Sequence, residues 1–419
     1  MNILFLTLYH IDSLHSHGIY EDLLREFSKC DHNIYVVSPV ERRYHCDTTL
    51  HIEGNARILE LKTGNIQKTG IIEKGVSTLL IEQQFIAAIK QYFSEVVFDL
   101  VLYSTPPITL AGVIKFVKKR DSAKTYLLLK DIFPQNAVDI GLMSSFGMKG
   151  ILYNWFRSKE KKLYAISDYI GCMSPANVEY LLKHNQQVNP ETVSVCPNCI
   201  DPMDLTLPDE EKQKMRLRYG IPLDKRVFVY GGNLGKPQGI PFLIDCLHSQ
   251  RDNQEIFFLI VGDGTEYKKV QEYVELGKQP NLKLMSRLPK EEYDKMIGAC
   301  DIGMIFLDHR FTIPNFPSRL LAYMQAGLPV LAVTDPNTDI GKVIIEGEFG
   351  WWCESNDVSQ FSSLVCEIAG ADIQRYGHNA RQYLTRFYSV QNIYRDSFEP
   401  VLERIRNEKH GQKNPDHQS

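Results

Sequence analysis

The sequence predicts an α/β protein made of two doubly wound, Rossmann-like domains facing each other across a cleft. Three observations carry this. Strand-like apolar runs alternate with helix-length amphipathic segments through most of the 419 residues, the pattern of a parallel sheet covered on both faces. That pattern resets just after residue 200, at a charged, Pro-containing stretch. The first strand after the reset runs into a glycine-rich turn and a helix, where doubly wound sheets bind ligands beyond the carboxyl ends of their strands.

In the first half the strand candidates are "NILFLTL", "NIYVVSP", "ARILELK", "LVLYST", "TYLLLKD", "YIGCMS" and "VSVCP". Helical patterns such as "GIYEDLLREFSKC" and "TLAGVIKFVKKR" lie between them. "MDLTLPDEEKQKMRLRYGIPLDK" reads as a linker with a surface helix. The second series is "RVFVYGG", "IFFLIVG", "LKLMSR", "DIGMIFL", "PVLAVTD" and "FGWWCE". The spans predicted are residues 1–200 and 201–390 for the two domains, 391–410 for a C-terminal helix and 411–419 for a frayed polar tail. With two sheets facing each other, the cleft between them is the default binding site.

Composition narrows the class. Hydrophobic residues make up 43% and charged residues 23%, as in ordinary soluble globular proteins. A net charge of −4 gives no nucleic-acid signature. No run of about 18 apolar residues appears, which argues against a spanning helix. The apolar start, "MNILFLTLYHIDS", lacks a basic leader and a small-residue cleavage site and reads as a first strand, so a cytoplasmic protein is expected. Nine scattered cysteines do not form a disulfide framework. Cys196 and Cys199 make a C-x-x-C; with no second pair to complete a zinc site, a plain strand-to-turn segment is favoured over chemistry.

Three loops carry the candidate chemistry. In "VYGGNLGKPQGIPFLIDCL", Gly231, Gly232, Gly235 and Gly239 would let backbone amides approach a ligand ahead of a helix with Pro241 in its first turn. Lys236 adds positive charge. Pro237 stands where a Walker loop needs Ser or Thr, and the spacing is not G-x-G-x-x-G. In "IPNFPSRLLAYMQAGLPVLAV", Pro317 opens a helix, Leu320, Leu321 and Met324 form its buried stripe, and Gly327 with Pro329 ends it. Ser318 and Arg319 stand at its amide-rich end, where a diphosphate would gain about 0.3–1 kcal/mol per exposed anionic group and a bidentate contact from Arg319. "LIVGDGTE" repeats the grammar with Gly262 and Gly264.

The ordered set "GGNLGKPQG", "LIVGDGTE" and "NFPSRLLAYMQAGLPVLA" resembles the nucleotide-sugar-binding domain of retaining family-4 glycosyltransferases of the GT-B fold. Within that family it looks most like the bacterial branch that builds O-antigen and capsule, which includes transferases of N-acetylated amino sugars such as N-acetyl-L-fucosamine. "LLLKDIFPQNAVDIG", "ISDYIGCMSPANVEYL" and "VCPNCID" resemble elements of its acceptor domain, and "FYSVQNIYRDSFEPVL" the C-terminal helix that packs back on the first domain. The resemblance covers nearly the whole chain. It implies an acceptor-binding first domain and a nucleotide-sugar-binding second domain.

Carried over residue by residue, the resemblance puts the donor at Gly232, Asn233, Lys236, Gln238, Gly262, Asn315, Pro317, Ser318 and Arg319. Asn233 and Gln238 occupy the family's Arg and Lys positions, so Lys236 and Arg319 are left to supply the phosphate charge. "LMSRLPKEEYDKM" resembles the segment that lines the base, with Arg287 and Leu288 as the contacts; a plain strand-to-helix turn is the competing reading. Pro314 and Ala322 stand where the family carries two glutamates. At Ala322 a ribose acceptor worth about 1.5–3 kcal/mol is missing.

The reaction implied is retaining transfer of a sugar from a nucleoside diphosphate, UDP favoured, to a polyprenyl-diphosphate-linked saccharide. No D-x-D ends a strand, so no metal or other cofactor is expected. Asp131, at the end of a first-half strand, would orient the acceptor or stabilise the developing cation; capping Ile132–Asn136 is the alternative. His15, His17 and Gly18, in "YHIDSLHSHGIY", are acceptor-loop candidates; chance surface histidines are the alternative. The basic, aromatic segment 149–162 reads either as a peripheral face for the cytoplasmic side of an inner membrane or as an amphipathic helix packed on its own domain. A UDP-sugar 2-epimerase and a non-catalytic scaffold or partner subunit are the rival functions.

Overall fold

The computed structural model describes residues 1–65 and 71–411, without the side chains of 71–79, 148–149 and 410–411. The polar tail expected at 411–419 therefore lies, apart from the backbone of Gly411, outside the described residues. The chain divides into two compact units. One comprises Met1–Val138, Met143–Asp201 and Val390–Ser419, the other Asp139–Leu142 and Pro202–Ser389.

The first unit holds strands β1 (Asn2–Leu6), β2 (Asn33–Glu41), β3 (Thr49–Glu53), β4 (Ala56–Thr63), β5 (Leu100–Ser104), β6 (Lys124–Leu129), β7 (Tyr169–Cys172) and β8 (Val193–Val195) in one sheet, ordered β3-β4-β2-β1-β5-β6-β7-β8. All neighbours are parallel except β3, which pairs antiparallel with β4. This strand corrects the expectation of an all-parallel sheet. "TLHIEGNARI" is a hairpin, turning at Gly54 with φ +59°, a conformation that favours glycine. Apolar clusters cover both faces of the sheet. One is built from the helices Ile71–Tyr92 and Ala111–Asp121; the other joins the helix Glu21–Lys29 to Phe398, Leu402 and Ile405 of the C-terminal segment. Cys196 and Cys199 are free and buried in the second cluster.

The second unit holds β9 (Arg226–Asn233), β10 (Ile256–Asp263), β11 (Leu282–Met285), β12 (Ile302–Phe306), β13 (Val330–Thr334) and β14 (Gly350–Glu354) in a parallel sheet ordered β11-β10-β9-β12-β13-β14. Its four inner strands, β10, β9, β12 and β13, are buried along nearly their whole length, which explains their continuous rather than alternating apolar character.

Each sheet has one place where the connections leaving two adjacent parallel strands run in opposite directions. In the first unit it lies between β1 and β5, in the second between β9 and β12. These switch points leave crevices at the carboxyl ends of the strands, and they locate the candidate site within each unit.

Candidate active site

At the second unit's switch point β9 and β12 pair only through Ile302 with Phe228 and Gly303 with Val229. Beyond those residues the hydroxyl of Tyr323 bridges them. It accepts from the Gly231 amide at 3.0 Å and donates to the Met304 carbonyl at 3.1 Å. Both glycines are explained by ring contact. A Cβ at Gly303 would sit 2.4 Å from the Tyr323 ring, and one at Gly231 would sit 1.7 Å from the Tyr293 hydroxyl.

Arg319 lies over this tyrosine-rich floor. Its guanidinium carbon is 4.6 Å from the Tyr230 ring centroid, a cation–π contact. Gly232 lies beside it, and its φ of +126° is what favours glycine there; a Cβ would only touch the guanidinium, at 3.5 Å. Arg319 has no carboxylate within ion-pair distance among the described residues, and its Nη1 is buried without a hydrogen-bond partner. A buried cation left unpaired is costly, so an anionic ligand is the natural complement. The helix it begins, Arg319–Gln325, is seven residues long and is buried at Leu320, Leu321, Tyr323, Met324 and Gln325 rather than along a stripe. With so short a helix, the electrostatic weight rests on the side chain of Arg319 and not on the helix dipole.

The glycine loop also differs from the expected amide cradle. The Gly231 amide is held by Tyr323, that of Gly235 by Oε1 of Gln238 at 3.1 Å, and that of Gly239 by the Lys236 carbonyl at 3.0 Å. Gln238 is buried and also accepts from Asn233 Nδ2 at 3.2 Å. Asn233 and Gln238 thus clip the turn together. Gly262 pairs with Gly232 in register, and a Cβ on Gly262 would collide with the Gly232 carbonyl at 1.9 Å. The Asp308 amide donates to the Pro237 carbonyl at 2.9 Å, tying the β12 loop to the β9 loop. Lys236 is exposed, and no ion-pair partner is found for it among the described residues.

The segment after β12 is held from β13. Asp335, fully buried, accepts through Oδ1 from the amides of Asn337 at 2.9 Å and Thr338 at 3.0 Å. Thr338 in turn donates to the Asn315 carbonyl, and Asn337 donates to that of Phe311 at 2.6 Å. Two polar atoms here are buried and unpaired, Asp335 Oδ2 and Asn315 Nδ2. Burial, with the nearby charge of Asp139, pushes the Asp335 carboxyl up to about 7. Pro317 is half-buried and Ser318 exposed; Ala322, half-buried, presents no polar group. Arg287 is exposed and Leu288 half-buried on the link between β11 and the helix Lys290–Gly298.

In the first unit Asp131 follows β6. Thr105, at the end of β5, donates through its hydroxyl to the Asp131 carbonyl at 3.1 Å and accepts from the Asp131 amide at 3.2 Å. Asn136 Nδ2 donates to both carboxylate oxygens, at 2.8 and 3.0 Å. Burial pushes the Asp131 carboxyl up to about 6, opposed by these hydrogen bonds. On the loop after β1, His15 is exposed and 4.0 Å from Glu53, while His17 lies 3.4 Å from Asp22. The Gly18 carbonyl accepts from the Asp22 amide. His10, on the same loop, contacts Glu60 at 2.5 Å, and His51 meets the other oxygen of Glu60 at 2.6 Å. Among the described residues no group of three or more His, Cys, Asp or Glu is placed to hold a metal ion.

Residues 211–381 match the family model of glycosyl transferases group 1. That match lies within the second unit. The chain is similar to "Probable glycosyltransferase WbjE" of Pseudomonas aeruginosa, 26% identical over 77% of this chain and 78% of that protein. It is also similar to "Putative colanic acid biosynthesis glycosyl transferase WcaI" of Escherichia coli K12, 20% identical over 71% and 72%. Its fold is that of GT-B glycosyltransferases. The structure of Anabaena Alr3699/HepE in complex with UDP-glucose superposes with a TM-score of 0.67 at 15% identity, covering 96% of this chain and all of that one.

Proposed function

We propose that the protein is a retaining glycosyltransferase of surface-polysaccharide biosynthesis. It moves a sugar, an N-acetylated amino sugar, from a nucleoside diphosphate, with UDP favoured, to a lipid-linked saccharide. One observation carries this reading: the Arg319 guanidinium is fixed on Tyr230 at the switch point with Nη1 unpaired. The match to a glycosyl transferase domain, the polysaccharide relative and the UDP-glucose-bound structural neighbour support it.

In this mechanism the second unit holds the donor. Arg319 and exposed Lys236 neutralise the diphosphate as it leaves, and a cation fixed in place beforehand needs no reorganisation at the moment of bond cleavage. The first unit holds the acceptor, with Asp131 orienting the attacking hydroxyl. Ala322 offers the ribose no acceptor, which keeps one competing reading open, a non-catalytic relative that binds nucleotide without turnover.

Calorimetric titration with UDP and GDP, followed by mass spectrometry of products formed from UDP-sugars and a polyprenyl-diphosphate saccharide, separates these readings. Nucleotide binding with transfer supports the enzyme. Binding without sugar release or transfer supports the scaffold, and no nucleotide binding at all rejects both.

A further inference from the structure

The helix Gly147–Ile166 of the first unit has two unlike faces. Its inner face is buried through Leu163, Tyr164 and Glu160, with Phe156 packed on the apolar cluster. Its outer face opens with large apolar side chains, Ile151 72% exposed, Leu152 52% and Trp155 40%. At 100° per residue these three fall within one arc of the helix, and Lys159 and Lys162 continue the same arc. The Lys159 ammonium lies 5.4 Å over the Trp155 ring, and Lys161 and Lys162 are exposed. The helix contains a single acid, Glu160, which is turned inward, ion-paired with Arg157 and accepting from the Tyr164 hydroxyl. The outer face is therefore apolar and cationic, with no carboxylate to repel an anion. Beside it is a hollow of about 490 Å³ lined by Arg157, Ser158, Lys161, Lys162 and Gln187 among others.

We infer that this face docks on an anionic phospholipid surface. Aromatic and aliphatic side chains next to lysines are the composition of helices that lie in the membrane interface, where apolar burial and attraction to anionic headgroups add. The cationic hollow suits a headgroup phosphate. A second copy of the same face fits poorly, because its lysines would meet lysines. No described helix is long and apolar enough to cross a membrane, so docking at the surface is the mode this helix allows.

Co-sedimentation of the full chain with phosphatidylcholine vesicles, with and without phosphatidylglycerol, tests this. Binding is expected only with phosphatidylglycerol and should weaken as salt is raised. Reversing charge in Lys161→Glu/Lys162→Glu should lower partitioning by at least about fivefold per lysine. Ile151→Ser/Trp155→Ser should also release the protein. Lipid docking and nucleotide binding are separable, so UDP affinity, measured in parallel, should be unchanged in both variants and reports that they are folded. The idea is overturned if the wild type ignores anionic vesicles, if the lysine variant binds them equally well, or if light scattering without lipid shows the apolar face joining two copies.

Discussion

Arg319 rests on the ring of Tyr230, 4.6 Å from its centroid, with Nη1 unpaired. Tyr230 lies near the end of β9 and Arg319 opens the helix Arg319–Gln325, and they meet at the reversal point of the second sheet. Replacing the guanidinium tests the donor site directly. Arg319→Ala should weaken UDP binding by about 10- to 100-fold, the worth of a hydrogen bond to a charged group. Arg319→Lys should restore only part of it, since an ammonium neither stacks on Tyr230 nor binds bidentately. Titration calorimetry gives both values; an unchanged affinity in Arg319→Ala would remove this residue from the donor site.

The Tyr323 hydroxyl closes the gap between β9 and β12. Tyr323→Phe strands the buried Gly231 amide and the Met304 carbonyl. It should cost about 1–3 kcal/mol, read as a lower urea midpoint at constant slope. If the midpoint does not move, the bridge contributes nothing.

Asp335 should leave a signature in stability against pH. Its folded pKa, about 7, lies above the ordinary carboxyl value of 3.8. Between those values the folded state holds a proton that the unfolded state releases. The contribution is therefore fully present below about pH 4 and is lost as pH rises to about 7, by a few kcal/mol. Asp335→Asn keeps an oxygen for the Asn337 and Thr338 amides but does not titrate, so its stability curve should be flatter across that window. Parallel curves for the two proteins would show that Asp335 ionises normally.

Asp131 carries the corresponding prediction for turnover. With its carboxyl pushed up to about 6, a role that needs the carboxylate makes kcat rise with pH through about 6 and level off above it. Asp131→Asn should abolish that limb and cut turnover by 100-fold or more, on the order of a lost general base, with UDP affinity near normal. Unchanged turnover in this variant would limit Asp131 to holding Asn136.

Much of this architecture was legible in the sequence. The strand-like runs on both sides of residue 200 correspond to β1, β2 and β4–β14; the inner strands stand out most because a strand buried on both faces is apolar throughout. The strand β3 was not legible: "TLHIE" is short, half polar and at the sheet edge, where only one side needs a partner. Gly232 and Arg319 stood out by local pattern, and the structure places them against each other. Tyr230, Tyr323 and Asp335 did not stand out, since an aromatic at a strand end or an aspartate after a strand is ordinary in sequence.

By itself, then, the sequence determined where strands and helices form and which loops end at the carboxyl edge, because periodicity, glycine and proline act over a few residues. Only the tertiary structure decided which polar groups are satisfied within the fold and which are left over. The Gly231 amide finds its acceptor 92 positions away, at Tyr323, while Arg319 finds a ring and, among the described residues, no carboxylate. Such pairings depend on strand order and on the separation of β9 from β12, which no local run of residues encodes.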